Sequence, residues 1–217
     1  MEGKKTNFFV QAWLVLILAM FYGAALAGVH MKFSPKIEEN KLNETRQRVP
    51  EMVLGTEPAE QAGAGKKMLD AVRTMIVVDQ EGGRTTSYSV FKATQDDAVK
   101  GWVAKASGQG YADKVEILIG LSPRIDKITG VFVLDQKETP GLGAKITEDQ
   151  WRKQFTGKST GQKVAAVKDK ADEPHEIDAI TGATISSDTV CTIINKAVAD
   201  LKAPLAERLS KDNTPQN

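Results

Sequence analysis

The chain has 217 residues, 41% of them apolar, enough for one packed domain with extensions. Its 29 Lys and Arg against 28 Asp and Glu leave a formal charge of +1, which gives no electrostatic footing for nucleic acid. Two His and one Cys argue against a protein-held metal or haem. Cys191 lacks a partner for an internal disulfide and reads as a small buried apolar residue.

In chain order, residues 8–29, FFVQAWLVLILAMFYGAALAGV, come first: 22 residues without a charge. A helix needs ~20 such residues to cross a bilayer. Lys4 and Lys5 before the run and the Ala25–Ala27 stretch after it also fit a cleavable signal peptide. The length of the run and the bulky Phe21 and Tyr22 favour a retained anchor over residues 1–30. Lys32, Lys36 and Lys41 follow, so charge alone leaves the orientation open. Residues 31–67 read as a polar stalk and linker. Ile37, Leu42 and Val49 are too sparse for an apolar face, and GTEPAEQAGAGKK at 55–67 has linker composition.

The folded domain is expected over 68–205, with a polar tail at 206–217. Residues 74–79 and 85–93 read as a hairpin around the QEGG turn, and 101–108 as a further strand. Residues 114–121 place Val115, Ile117, Ile119 and Leu121 on one face at period two, and 127–135 return as the partner strand. Thr147 and Gln150 spell a capping box for a helix at 147–155, with Trp151 and Phe155 on one side. Val190, Ile193, Ile194, Ala197, Val198 and Leu201 predict an amphipathic helix at 188–202, ended by Pro204. The class is α+β, a mainly antiparallel sheet with helices, preceded by one N-terminal transmembrane helix.

Residues 176–190, EIDAITGATISSDTV, crowd hydroxyl groups just before that helix. Ser186, Ser187 or Asp188 would serve as an N-cap, contributing about 1 kcal/mol. That leaves Thr181 and Thr184 without a task. A helix start also attracts phosphate through its free N–H groups. Gly182 and Ala183 keep the backbone open to a bulky reagent, so a threonine hydroxyl there could bind a phosphate or be esterified to one. A second stretch, KETPGLGAKI at 137–146, joins a stiff Pro140 to Gly141 and Gly143, with Leu142 as an apolar surface. Alone, it reads better as a plain glycine loop between a strand and a helix. GQGY at 108–111 lacks the third glycine and the following helix of a dinucleotide fingerprint.

Asp178-Ala-Ile-Thr181-Gly182-Ala183-Thr184 resembles the flavinylation motif of the FMN-binding domain family. The ETPGLG segment resembles the loop that family holds near its flavin, and GQGY is a weaker echo. Family members often carry a His shortly before the Glu-Thr-Pro; here Asp135 and Gln136 stand there, so no role for it transfers. The resemblance implies FMN joined covalently through its phosphate to Thr184, making the chain a phosphoprotein. It implies that Asp178, Thr181 and Gly182 serve recognition by a flavin transferase that uses FAD as donor, with Ala183 beside them at the cofactor. Glu138, Thr139, Gly141, Leu142 and Gly143 would lie near the cofactor.

The layout of anchor, stalk and domain is similar to the G subunits of Rnf-type ion-translocating ferredoxin:NAD oxidoreductases. It is also similar to the longer C subunits of sodium-translocating NADH:quinone reductases. The resemblance implies an electron-relay subunit of a translocase rather than a stand-alone enzyme, with membrane subunits as partners. Its FMN domain would lie on the extracytoplasmic side of a bacterial or archaeal inner membrane. A free-standing flavinylated carrier and a non-redox FMN module are the alternatives.

Overall fold

The structure, a computed structural model, describes residues 8–55, 70–80, 84–96 and 98–212. Lys4 and Lys5, most of the expected linker with Met68, and Glu81–Gly83 of the QEGG turn lie outside these residues. Internal contacts divide the chain into two units, Met1–Glu44 and Thr45–Asn217.

Helix α1, Phe8–Leu54, contributes to both. In the first unit it carries the apolar run, with Trp13, Leu16, Phe21 and Tyr22 exposed, and it is long and apolar enough to cross a membrane. In the second unit its last turns are packed. Val49 is 0% exposed and Met52 5%, so Val49 belongs to a buried face rather than to a solvated stalk.

The second unit is built on an antiparallel meander of β1 (Asp70–Gln80), β2 (Arg84–Gln95), β3 (Ala98–Gln109), β4 (Lys114–Leu121) and β5 (Ile128–Asp135), in that spatial order. All the strands expected from alternation are present. A 3₁₀ turn at Gly143–Thr147, the short α2 (Asp149–Arg152) and a second 3₁₀ turn at Lys153–Phe155 follow. Then come β6 (Ala165–Val167), β7 (Glu176–Asp178) and α3 (Thr184–Asp212). The two short strands pair in parallel, a feature too brief to leave a periodic signal.

Val72, Met75 and Val77 leave the edge strand β1 exposed, but the middle of the sheet is buried on both faces. On one, Trp102, Ala104, Ile117 and Ile119 form the main core with Val190, Ile194 and Leu201 of α3 and with Phe155. The Tyr88 hydroxyl donates to Asp200 across this face at 2.6 Å. Burial, then that carboxylate, raises its pKa above the ordinary value. Cys191 is buried in the same core, where burial and then the Asp188 charge push its thiol up to about 12. Phe91, Val103 and Leu118 are buried on the opposite side, where Met52 and Val53 of α1 lie against Gly101 and Gly120. This second cover explains why Leu118, between the alternating residues of β4, is also fully buried.

Two local expectations fail. Thr147 does not begin a capping box: its hydroxyl donates to the Ala144 carbonyl at 2.8 Å, and α2 has no side-chain cap. The preceding 3₁₀ turn already occupies that backbone. Trp151 and Phe155 nonetheless meet edge to face, with centroids 5.2 Å apart. Pro204 does not end the last helix. It lies inside α3, because Leu205 beyond it is fully buried and Leu209 packs on the core. Packing there outweighs the hydrogen bond that proline removes. Residues 206–212, expected as tail, continue the helix.

Glu116 on β4 pairs with Lys114 at 2.8 Å and Lys105 at 3.2 Å. Its burial alone would raise the carboxyl pKa, but the two ammonium groups together bring it to about 2. A depressed folded pKa contributes stability above the unfolded value of 4.5, lost as pH falls through about 2. Glu116→Gln is expected to cost about 1 kcal/mol at neutral pH. Paired melting curves from pH 7 downward should converge as wild type loses that stability in the same window.

Candidate functional site

α3 is brought to the end of β3 by close packing. A Cβ on Gly108 would stand 2.7 Å from Ile193, so the helix needs that glycine to lie so near the strand. Thr189 donates to the Gln109 carbonyl at 3.3 Å. The start of α3 therefore stands beside the β3–β4 turn, which closes with Gly110 N–H donating to Asp113 O at 2.8 Å. Lys137 reaches that turn from the next loop, pairing with Asp113 at 2.8 Å and holding its carboxyl below the usual range.

The loop after β5 folds on its own backbone: the Leu142 and Ala144 N–H groups both donate to Thr139 O at 3.1 Å. Gly141 has φ +74°, the left-handed region that glycine enters without strain. The turn before α3 is similar. Ala183 N–H donates to Ile180 O at 2.9 Å, with Gly182 at φ +80°. A Cβ on Gly182 would also come within 3.2 Å of Leu142, which brings the two glycine loops together.

Between them lies a cleft of about 460 Å³, lined by Thr139, Leu142 and Gly143 from one loop and Gly182, Ala183 and Thr184 from the other, with Tyr111, Ile185 and Ser186. Its volume is in the range of small-molecule pockets. Three large apolar side chains stand exposed around it: Tyr111, Leu142 and Ile185. Residues 182–186 include the first turn of α3, so amides left without intrahelical partners lie in its wall.

The helix begins at Thr184, four residues before the expected start, and this reassigns the serines. Ser187 is not an N-cap. Its hydroxyl accepts from Ile180 N–H at 3.0 Å and donates to Ala183 O at 3.1 Å, bracing the turn. Ser186 is 2% exposed and donates to Glu138. Asp188 stands a full turn inside the helix. Among the described residues the Thr184 hydroxyl makes no hydrogen bond, and the residue is half-buried at the cleft.

Four of the expected residues stand outside the lining. Asp178, on β7, turns back to accept from Ala171 N–H at 2.6 Å, while its backbone is held by Trp151 and Gln154. Thr181 and Gly141 are exposed next to the cleft, and Glu138 lies buried beneath it at 4% exposure. Ile185 and Ser186 are lining residues that sequence reasoning did not assign to a ligand, and Tyr111 was only part of the weakest motif. A signal existed for Ile185: it falls off the apolar stripe of its own helix.

Comparison with known proteins fits this geometry. Residues 110–199 match the FMN-binding domain family, which bears out the resemblance drawn from the motifs. The chain is 39% identical over 111 residues to the G subunit of the sodium-translocating ferredoxin:NAD(+) oxidoreductase complex of Acetobacterium woodii, covering 50% of this chain and 53% of that protein. It is 33% identical over 108 residues to the G subunit of the proton-translocating complex of Clostridium ljungdahlii, covering 50% and 57%. The chain thus spans little more than half the length of these relatives. Among solved structures, NqrC of Shewanella oneidensis superposes with a TM-score of 0.61 at 17% identity, covering 80% of this chain and 99% of that one, a likeness of fold.

Proposed function

We propose that this protein is a membrane-anchored electron carrier with FMN esterified through its phosphate to Thr184, a relay subunit of an Rnf-type ion-translocating ferredoxin:NAD oxidoreductase. The observation that carries the reading is the meeting of the two glycine motifs, distant in sequence, as opposite walls of one cleft. When bound, FMN supplies the electron-transfer chemistry. The first-turn amides of α3 favour the phosphate charge. Leu142, Ile185 and Tyr111 offer apolar surface to a ring and leave it open to redox partners. The Thr184 oxygen, which makes no hydrogen bond among the described residues, is available for the ester. Attachment by a flavin transferase forms the Thr184 O–P bond and breaks the pyrophosphate of FAD, releasing AMP, with the hydroxyl proton lost to solvent.

A tether suits a cofactor held outside the cytoplasm, where a lost flavin has no ready replacement. Retention of residues 8–29 as an anchor, with the domain on the extracytoplasmic side, keeps the carrier among its membrane partners and raises their effective concentration. Purification from the native membrane should recover the other complex subunits with a flavin that titrates reversibly. Recovery of the chain alone would favour a free-standing carrier. A mature amino terminus at Gly28 would show cleavage and remove the anchor from the account.

Leu142 tests the ring contact separately. The side chain is 44% exposed, so Leu142→Ala should lower stability by well under the about 2–5 kcal/mol of a buried leucine. The covalent label should remain while the flavin absorption bands and potential shift. An unchanged spectrum and potential would place the ring elsewhere.

A further inference from the structure

Glu138 is a buried carboxyl group with a task that the cleft lining does not include. It is 4% exposed, under the loop that carries Leu142 and Gly143. Its Oε1 accepts from Ala112 N–H at 3.1 Å and its Oε2 accepts from Ser186 O–H. Its own N–H donates to Gln136 at 2.6 Å. Two glycines press on the side chain. A Cβ on Gly143 would meet Glu138 Oε2 at 3.0 Å and Ser186 Oγ at 2.6 Å, and a Cβ on Gly110 would collide with Oε1. One side chain thus joins the β3–β4 turn, the loop after β5 and the first turn of α3.

We infer that Glu138 is a positioning residue: by holding Ser186 and Ala112 it fixes the start of α3 against the two loops and so sets where the Thr184 hydroxyl stands in the cleft. Ser186 lies two residues after Thr184 on the same helical turn, so freeing it frees the attachment point. Hydrogen bonds to a carboxylate are about twice as strong as neutral ones, and a buried acceptor left unmatched is costly. The three segments therefore move together or not at all. The inference rests on the reading of Thr184 as the attachment residue, but the lock itself exists without flavin.

The test compares wild type, Glu138→Gln, Glu138→Ala and Ser186→Ala, each co-expressed with a flavin transferase and exported. Flavin fluorescence on a denaturing gel is read per amount of folded protein. Amide hydrogen exchange over residues 110–113 and 181–187 is read on the unlabelled forms. Glu138→Ala and Ser186→Ala should lose label by about tenfold and exchange faster in both segments. Glu138→Gln keeps the length and both hydrogen-bonding positions, since the Ser186 hydroxyl can rotate to accept, and should recover most of the label. A purely structural brace would lower melting temperature while leaving label per folded molecule unchanged. Should Glu138→Ala not fold, Ser186→Ala decides: wild-type label and wild-type exchange in it would overturn the inference. So would a Glu138→Gln protein labelled no better than the alanine variants. If wild type itself takes no label, the Thr184 reading fails, and the exchange data still judge the lock.

Discussion

Thr184→Val is expected to remove covalent flavin entirely and to leave the fold in place. Valine keeps the branched shape and removes only the oxygen. That oxygen has no hydrogen-bond partner among the described residues, so the folded state loses no internal bond with it. A β-branched residue is tolerated at a first helical position, and the change in helix propensity is a few tenths of a kcal/mol at most. Wild type exported in the presence of a flavin transferase should fluoresce on a denaturing gel, because an ester outlasts unfolding; Thr184→Val should be dark. Thr184→Ser, with the same oxygen, should retain some label. The competing hydroxyls differ in kind. Ser186 and Ser187 are buried and already bonded, and Thr181 is exposed but outside the cleft lining. Mass spectrometry of the peptide from Thr181 to Lys196 should place the added mass on Thr184. A fluorescent Thr184→Val band, or label found on Thr181, would sink the assignment.

How far the sequence reaches depends on which interaction shapes each element. β4 is legible to the residue because Val115, Ile117, Ile119 and Leu121 recur at period two and charged Lys114 and the Ser122 turn bound it, although the burial of Leu118 between them comes from the second cover. α3 is legible only in its middle. Its start is set by the Ser187 hydroxyl bonding back to Ile180, and its end by the burial of Leu205 beyond Pro204. Neither has a local sequence signature, and both overrule signals that do, a serine cap and a proline stop. The site shows the same division. Gly182 and Leu142 line the cleft and are marked in the sequence by the spacing of small and stiff residues, whereas Gly141, marked in the same way, stands beside it. Tyr111 and Ile185 reach the cleft only through the packing of α3 on β3. Glu138 was legible as part of a motif, but its buried position was not; an acid in a polar loop carries no mark that the loop will fold over it.

Gly120→Ala is expected to destabilise the second unit by about 1–3 kcal/mol, the usual cost of forcing a methyl group into a filled site. For a chain of this size that lowers the melting temperature by roughly 2–4 °C per kcal/mol. Gly120 is on β4, on the face covered by the last turn of α1. A Cβ there would stand 2.7 Å from Met52 O, 3.3 Å from Gly130 N and 2.5 Å from Thr129 Oγ1. Two of these atoms are backbone, so no rotamer change relieves them. The end of α1 would have to lift, exposing Val49, Met52 and Val53, all now at most 8% exposed. Gly130 is the control. It pairs with Gly120 across β4 and β5, yet a Cβ on it would meet only Met52 atoms at 3.7 and 3.8 Å, ordinary van der Waals contact. Gly130→Ala should therefore be near neutral, or slightly stabilising because alanine loses less backbone freedom on folding. The difference between two paired glycines isolates the seating of α1 from any general intolerance of alanine in the sheet. Hydrogen exchange should rise over residues 45–54 in Gly120→Ala and remain unchanged in Gly130→Ala. Equal melting temperatures for the two variants would show that α1 does not hold this face of the sheet.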